Sequence, residues 1–208
     1  MSRNTASNLP NLDVLIPAAG ASSRLGHPKQ LVTLGGEPLL RRAVRIALTL
    51  GPDRVHVVLG AQRERIRPVL DGITGVQVHE HENWATGMSG SLIAGMEQLA
   101  GDCPAVLILL PDQFRITALD LARLRDAWRR QPGRPVAAAY DETFGVPAIL
   151  PRALFDEVKR IRGDCGARSV LIAHHRRLIR VTMPTAAFDL DSPEDWAFDL
   201  DPDPSLQR

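Results

Sequence analysis

Six short runs rich in Val, Ile, Leu and Ala, at residues 14–17, 55–59, 76–80, 105–110, 136–139 and 178–182, alternate with helical stripes along a chain of 208 residues. Short runs rich in such residues read as strands covered on both faces rather than on one. Between them, Leu40, Ala43, Val44, Ala47 and Leu48 recur at i, i+3, i+4, i+7 and i+8, and Leu121, Leu124 and Trp128 mark a second stripe. Packing alone explains such stripes, so they are assigned to the core. Alternating strand and helix specifies an α/β fold built from βαβ units. No internal repeat or long linker interrupts the pattern. We therefore expect one domain over residues 12–200, a flexible segment at 1–11 and a flexible Pro/Asp-rich tail at 201–208.

Composition then removes several function classes. With 44% hydrophobic residues the chain can bury a substantial core. A net charge of +1 and 4% aromatic residues leave neither the basic stripe nor the stacking platform of a nucleic-acid binder. Residues 1–11 lack an apolar signal core, and no later run approaches the roughly 20 apolar residues that span a bilayer. Cys103 and Cys165 lack CxxC spacing, which argues against a disulfide framework or structural zinc and suits a reducing cytoplasm.

Directly after the first strand stands PAAGASSRLGHPKQ, residues 17–30. Small side chains let backbone amides approach an anion, and Gly20 and Gly26 are expected to take angles other residues resist. Arg24 brings a planar fork of donors suited to phosphate oxygens, and Lys29 a compact charge that can follow a phosphoryl group. A surface turn carrying two solvated cations is the plainer alternative. Its position at the carboxyl end of a strand, where open α/β sheets bind ligands, favours the phosphate reading. Neither the Walker spacing nor the dinucleotide fingerprint is present, so a P-loop NTPase and a standard dinucleotide binder are not indicated.

A second chemical position is Asp112, delivered at the end of the apolar run LILL (107–110). A carboxylate there suits a Mg²⁺ ion facing a phosphate loop, and equally suits the capping of a loop. Asp191 ends a short extended stretch and could join it. Its neighbours Ser192, Pro193, Glu194 and Asp195 read as the start of a helix, with Ser192 as N-cap and Pro193 at the first helical position.

Taken together, these segments carry a resemblance. AAGASSRLG with PKQL resembles the signature loop of sugar-phosphate and cofactor nucleotidyltransferases. NWATGMSGSL (83–92), LLPDQ (109–113), GVP (145–147), GDCGA (163–167) and DLDSPED (189–195) follow in the order found in the molybdenum cofactor cytidylyltransferase group of the MobA-like nucleotidyltransferases. The resemblance runs from about Val14 to Leu200. Leu25 and Phe114 depart from the group's usual Met and Pro, away from the charged positions.

The resemblance implies a single-domain, Rossmann-like, three-layer α/β/α nucleotidyltransferase fold with a mostly parallel twisted sheet. It implies transfer of CMP from CTP to the terminal phosphate of the molybdenum cofactor, with release of pyrophosphate. Ala18, Ala19 and Gly20 would meet the nucleotide through their backbones. Arg24 would hold the β and γ phosphates, Lys29 would act at the α phosphate, and Asp112 and Asp191 would hold Mg²⁺, with Asp189 open as the alternative to Asp191. Gly87, Met88, Ser89 and Ser91 match the segment lining the base, ribose or acceptor pocket, although Ser89 and Ser91 equally suit helix capping. The implied partners are small molecules and a recipient molybdoenzyme, not nucleic acid or membrane, with the chain a monomer or weak dimer in the cytoplasm.

Other readings stay open on sequence. One is a cytidylyltransferase for a sugar or polyol phosphate, another a non-catalytic chaperone for the finished cofactor. A redox enzyme of a related catabolic group finds no flavin or nicotinamide fingerprint. His79 and His81, flanking Glu80, read as a solvated strand edge.

Overall fold

Every strand run identified in the sequence becomes a strand of one seven-stranded sheet in the computed structural model, which describes residues 11–23, 25–163, 165–191 and 200–201. In chain order the strands are β1 (Asp13–Ala18), β2 (Thr33–Leu34), β3 (Glu37–Pro38), β4 (Val55–Leu59), β5 (Val76–Glu80), β6 (Ala105–Ile108), β7 (Val136–Tyr140), β8 (Thr143–Pro151), β9 (Ile179–Thr182) and β10 (Leu200–Asp201). The helices are α1 (Leu39–Leu48), α2 (Arg63–Ile66), α3 (Met88–Met96), α4 (Ala118–Arg130), α5 (Phe155–Val158) and α6 (Arg168–Ala173).

The large sheet runs β5-β4-β1-β6-β8-β7-β9. β1 lies between β4 and β6, parallel to both, with Val14 opposite Val55 and Leu107. Only β8 runs against its neighbours, antiparallel to β6 and β7, so the sheet is mostly parallel as expected. The sequence reading missed β8. A strand holding Gly145, Pro147 and Pro151 has little β propensity, and flanking strands rather than its own residues fix it in place.

Side-chain alternation builds the three layers. Val14 and Ile16 of β1 point into a core with Leu40 and Val44 of α1 and Leu121, Leu124 and Trp128 of α4. Leu15, between them, points the other way, against Leu92 and Met96 of α3 and Val170 and Leu171 of α6. Helix α3 approaches β1 so closely that a Cβ at Gly95 would sit 2.2 Å from a Leu15 methyl. Helix α4 is secured at its start by a capping box: the Asp120 N–H donates to Thr117 Oγ1 at 3.2 Å, and the Thr117 N–H donates to Asp120 Oδ2 at 3.0 Å.

A small antiparallel sheet, β10-β2-β3, stands beside the main one. Leu25, Val32, Leu39, Phe114 and Leu190 form a separate apolar cluster. That cluster ties the segment after β1, the segment after β6 and the segment before Asp191 to one another, although they are distant in sequence. Among the described residues, no helix is long and apolar enough to cross a membrane.

The two cysteines differ sharply. Cys103 is buried, and burial followed by the charge of Asp13 pushes its thiol up to about 11. Cys165 is exposed. A thiol-reactive dye should therefore label one exposed site, Cys165, rapidly. Cys165→Ser should remove that fast phase, leaving Cys103 to react only on unfolding; a fast phase that persists would contradict the burial of Cys103.

Candidate active site

The chain leaves β1 at Ala18 and turns at the carboxyl end of the sheet. Gln30 closes this turn from behind: its Nε2 donates to the carbonyl oxygens of Ala18 at 2.8 Å and Gly20 at 3.2 Å. The Lys29 N–H donates to Ser22 Oγ at 3.1 Å. With Gln30 only 1% exposed, a buried amide braces the loop alongside its Lys29–Ser22 hydrogen bond. Gly26 has a φ of +74° and Ser22 a φ of +53°, which bend the loop through left-handed backbone. Gly20 differs from expectation. It does not take a positive φ, and nothing lies within 4 Å of where its Cβ would be, so its role is to leave an open surface.

That surface faces a cavity of about 400 Å³. Of the residues singled out by sequence, Ala18, Ala19, Gly20, Lys29, Gly87, Met88, Ser91 and Asp112 all line it. Asp191 lines an adjoining groove with Lys29 and Ser22. Ser89 is buried in the first turn of α3, with its N–H donating to Gly163 O at 3.3 Å, and does not line the cavity. Neither serine caps α3; Gly87, with a φ of +92°, stands at the N-cap. Arg24 and the proposed helix start at Ser192, Pro193, Glu194 and Asp195 lie outside the described residues.

The charges converge on Lys29. Its ammonium is ion-paired with Asp112 Oδ2 and lies 3.6 Å from Asp191 Oδ1. Burial by itself would depress the lysine pKa, but Asp112, through charge and hydrogen bond, with Asp191 and Asp189 behind it, outweighs burial and raises it. Asp112 is 6% exposed, and its second oxygen, Oδ1, is buried without a hydrogen-bond partner. The Leu190 N–H donates to Asp112 O at 3.1 Å. Leu190 itself is buried in the small apolar cluster, and alternation about it brings Asp189 and Asp191 to the charged centre.

Sequence reasoning missed two contributors and left a third undecided. Gln30 was seen only as part of a motif, and its bracing of two carbonyls depends on tertiary contact. Trp84, partly exposed on the cavity rim, had no periodicity to mark it. Asp189 was left open as the alternative to Asp191 at the metal. Partial burial, then the like charges of Asp191 and Asp112, raise its pKa, with Lys29 opposing. A carboxyl with a raised folded pKa opposes folding when ionised, and that opposition fades as pH falls through the raised value towards 3.8. Asp189→Asn should therefore raise the melting temperature slightly at neutral pH. Melts across a pH series should show this advantage closing on acidification; a gap that widens instead would make the Lys29 attraction dominant.

A family model described as a MobA-like NTP transferase domain matches residues 14–178. The chain belongs to this family. As a MobA-like protein it is 32% identical over 175 residues to the nicotine blue oxidoreductase of Paenarthrobacter nicotinovorans, covering 79% of this chain and 83% of that one. It is 34% identical over 147 residues to the bifunctional protein GlmU of Legionella pneumophila strain Lens, covering 69% of this chain but 31% of that longer protein. Among solved structures, Rv0371c of Mycobacterium tuberculosis H37Rv superposes with a TM-score of 0.74 at 25% identity, over 89% of this chain and 96% of that one. A manganese complex of Rv0371c superposes with a TM-score of 0.72 at 20% identity, over 91% and 97%. The MobA-like fold is thus the nucleotidyltransferase α/β fold.

Proposed function

We propose that this nucleotidyltransferase moves CMP from CTP to the terminal phosphate of a molybdopterin-type molybdenum cofactor, forming molybdopterin cytosine dinucleotide. The observation that carries the chemistry is the Lys29 ammonium held by Asp112 and Asp191 at the mouth of the loop after β1. An oxygen of the acceptor phosphate attacks the α phosphorus of CTP. The new P–O bond forms as the bond to the α–β bridging oxygen breaks, and that electron pair leaves with pyrophosphate. Lys29, kept charged by its carboxylate neighbours, meets the charge growing on the α phosphate. The backbones of Ala18, Ala19 and Gly20 meet the nucleotide, Arg24 takes the β and γ phosphates, and Gly87, Met88 and Ser91 border the base, ribose or acceptor. Ser89 supports this segment from beneath.

The donor set suits a hard dication. Among the described residues no cluster of three or more ligating side chains forms a closed cage. Asp112 and Asp191 nevertheless offer carboxylate oxygens on one centre, and Asp112 Oδ1 is buried and unpartnered. Two carboxylates completed by phosphate and water oxygens is the usual protein contribution to a Mg²⁺ site. When bound there, Mg²⁺ supplies charge neutralisation at the phosphates. The manganese complex of the mycobacterial relative supports a divalent ion at this fold.

Incubation with CTP, Mg²⁺ and molybdenum cofactor should release pyrophosphate and yield a product whose mass carries both CMP and the acceptor. Pyrophosphate released only with sugar or polyol phosphates would transfer the assignment to that acceptor class. A second reading, an oxidoreductase, is favoured by the name of the P. nicotinovorans relative. It predicts a spectral change of the substrate on reduction by an added hydride donor, with no pyrophosphate released from CTP. The product dinucleotide goes to a recipient molybdoenzyme, and the transferase itself works in the cytoplasm as a monomer or weak dimer.

A further inference from the structure

Beside the phosphate cavity lies a second one of about 170 Å³, and Pro17, Met88 and Leu110 stand in the walls of both. The two spaces are therefore neighbours across a shared partition, but their chemistry differs. Leu92, Ile108 and Val146 give the second cavity apolar walls. Its polar groups are few: Tyr140 from the end of β7 and Arg168 from the start of α6.

Two glycines shape it. A Cβ at Gly145 would stand 2.8 Å from Tyr140 Oη, and a Cβ at Gly166 would stand 3.0 Å from the Met88 sulfur. Bare backbone at these positions lets the phenol and the thioether close over the cavity. Arg168 is fixed by one donor, Nη2, to Thr143 Oγ1 at 2.6 Å, which leaves further donors of its five-donor fork to read a ligand. A phenol with an ordinary pKa near 10 is protonated at neutral pH and can donate; burial raises that of Tyr140 further, against the pull of Arg168.

We propose that this cavity is a second ligand subsite for a flat conjugated ring whose one edge bears an anionic or carbonyl group, with Arg168 and Tyr140 as the residues that recognise that edge. The inference rests on the reading of this centre as a transferase only in taking the ring to be part of the acceptor. Polarity argues against a hydroxyl-rich body. A sugar or polyol placed here would press several hydroxyls against Leu92, Ile108 and Val146 without partners, a net loss for each, whereas ring faces gain by leaving water. Charge alone does not distinguish the two classes, since Arg168 serves a carboxylate or phosphate on either.

Titration of the full chain with three probes separates these effects: 2-naphthoate, 2-naphthalenemethanol and gluconate. Naphthoate should bind at least about tenfold more tightly than gluconate, which has the charge without the ring, and about tenfold more tightly than the alcohol, which has the ring without the charge. Arg168→Met should abolish the preference of naphthoate over the alcohol, while the alcohol's affinity stays within about twofold and reports that the cavity is intact. Gluconate binding as tightly as naphthoate, or a naphthoate preference that survives Arg168→Met, overturns the subsite. Pyrophosphate release is read separately. Ring binding of this kind without any nucleotide turnover would retain the subsite and sink the transferase reading; turnover without it would do the reverse.

Discussion

Lys29→Met should lower turnover by about a hundred- to a thousandfold, the usual cost of removing one preorganised donor from a site of developing charge. The same change leaves Asp112 buried without its cation, and truncating one partner of a buried pair costs about 3–5 kcal/mol when both are fully desolvated. Lys29 retains 24% side-chain exposure, so the stability loss should fall at or below the lower end of that range. Lys29→Arg separates the two effects. It keeps the charge beside Asp112 and so most of the melting temperature, yet a planar fork replaces a compact ammonium at the reacting phosphate, and most of the rate is still lost. Full activity in either variant would remove Lys29 from the chemistry.

The pH dependence follows from the same cluster. A lysine whose folded pKa is raised contributes stability that is fully present below its unfolded value of 10.5 and is lost as pH rises through the folded one. Deprotonation of Lys29 therefore does not limit turnover anywhere near neutrality. A rate that falls on the alkaline side well below 10.5, with the fall removed by Lys29→Arg, would contradict the raised pKa.

How far the sequence disclosed this site depends on how local each signal is. The strands at 55–59 and 76–80 appear with the bounds expected. At 55–59 a parallel strand buried on both faces writes its burial directly into composition, whereas 76–80 was expected to be covered on both faces and is instead the half-exposed edge of the sheet, paired on one side only. β2 and β3, at two residues each, are too short to show any period, and β8 hides behind Gly145, Pro147 and Pro151. Among site residues, Lys29 and Asp112 were legible because a lysine after a small-residue loop and an aspartate after a buried strand each need a chemical reason. Their partnership, across 83 positions, was not. Gln30 and Asp189 act through contacts made by the turn after β1 and by the alternation about Leu190, and neither leaves a periodic trace. The strand-edge reading of His79 holds for β5, which ends the sheet, but His79 is half-buried there against His56 of β4, a contact that no sequence spacing marks.

Asp13→Ala should unfold the protein markedly more easily, although it lies at the far end of β1 from the phosphate loop. Asp13 Oδ2 is 3.1 Å from His56 Nε2, and His56 Nδ1 is 3.0 Å from His79 Nε2, with the two rings stacked at 5.2 Å. Asp13 is 2% exposed and His56 0%. Removing the carboxylate strands His56 Nε2 where water cannot reach it, costing about 1–3 kcal/mol if the imidazole is neutral and about 3–5 if the pair is ionic. At about 2–4 °C per kcal/mol for a chain of this size, the melting temperature should fall by several degrees. The double change Asp13→Leu with His56→Leu should cost less than Asp13→Leu alone, because no orphan remains in the core and half-buried His79 can turn to water. A double variant worse than the single would mean that packing, not hydrogen bonding, explains these residues. The outer histidine sets the pH response: burial, then His56, lowers the His79 pKa below 6.5, so stability is fully present above 6.5 and is lost as pH falls through the folded value. His79→Gln should flatten that acid-side decline. Activity per folded molecule should be unchanged in Asp13→Ala, since five strand residues at about 3.3 Å each put Asp13 roughly 17 Å from Ala18.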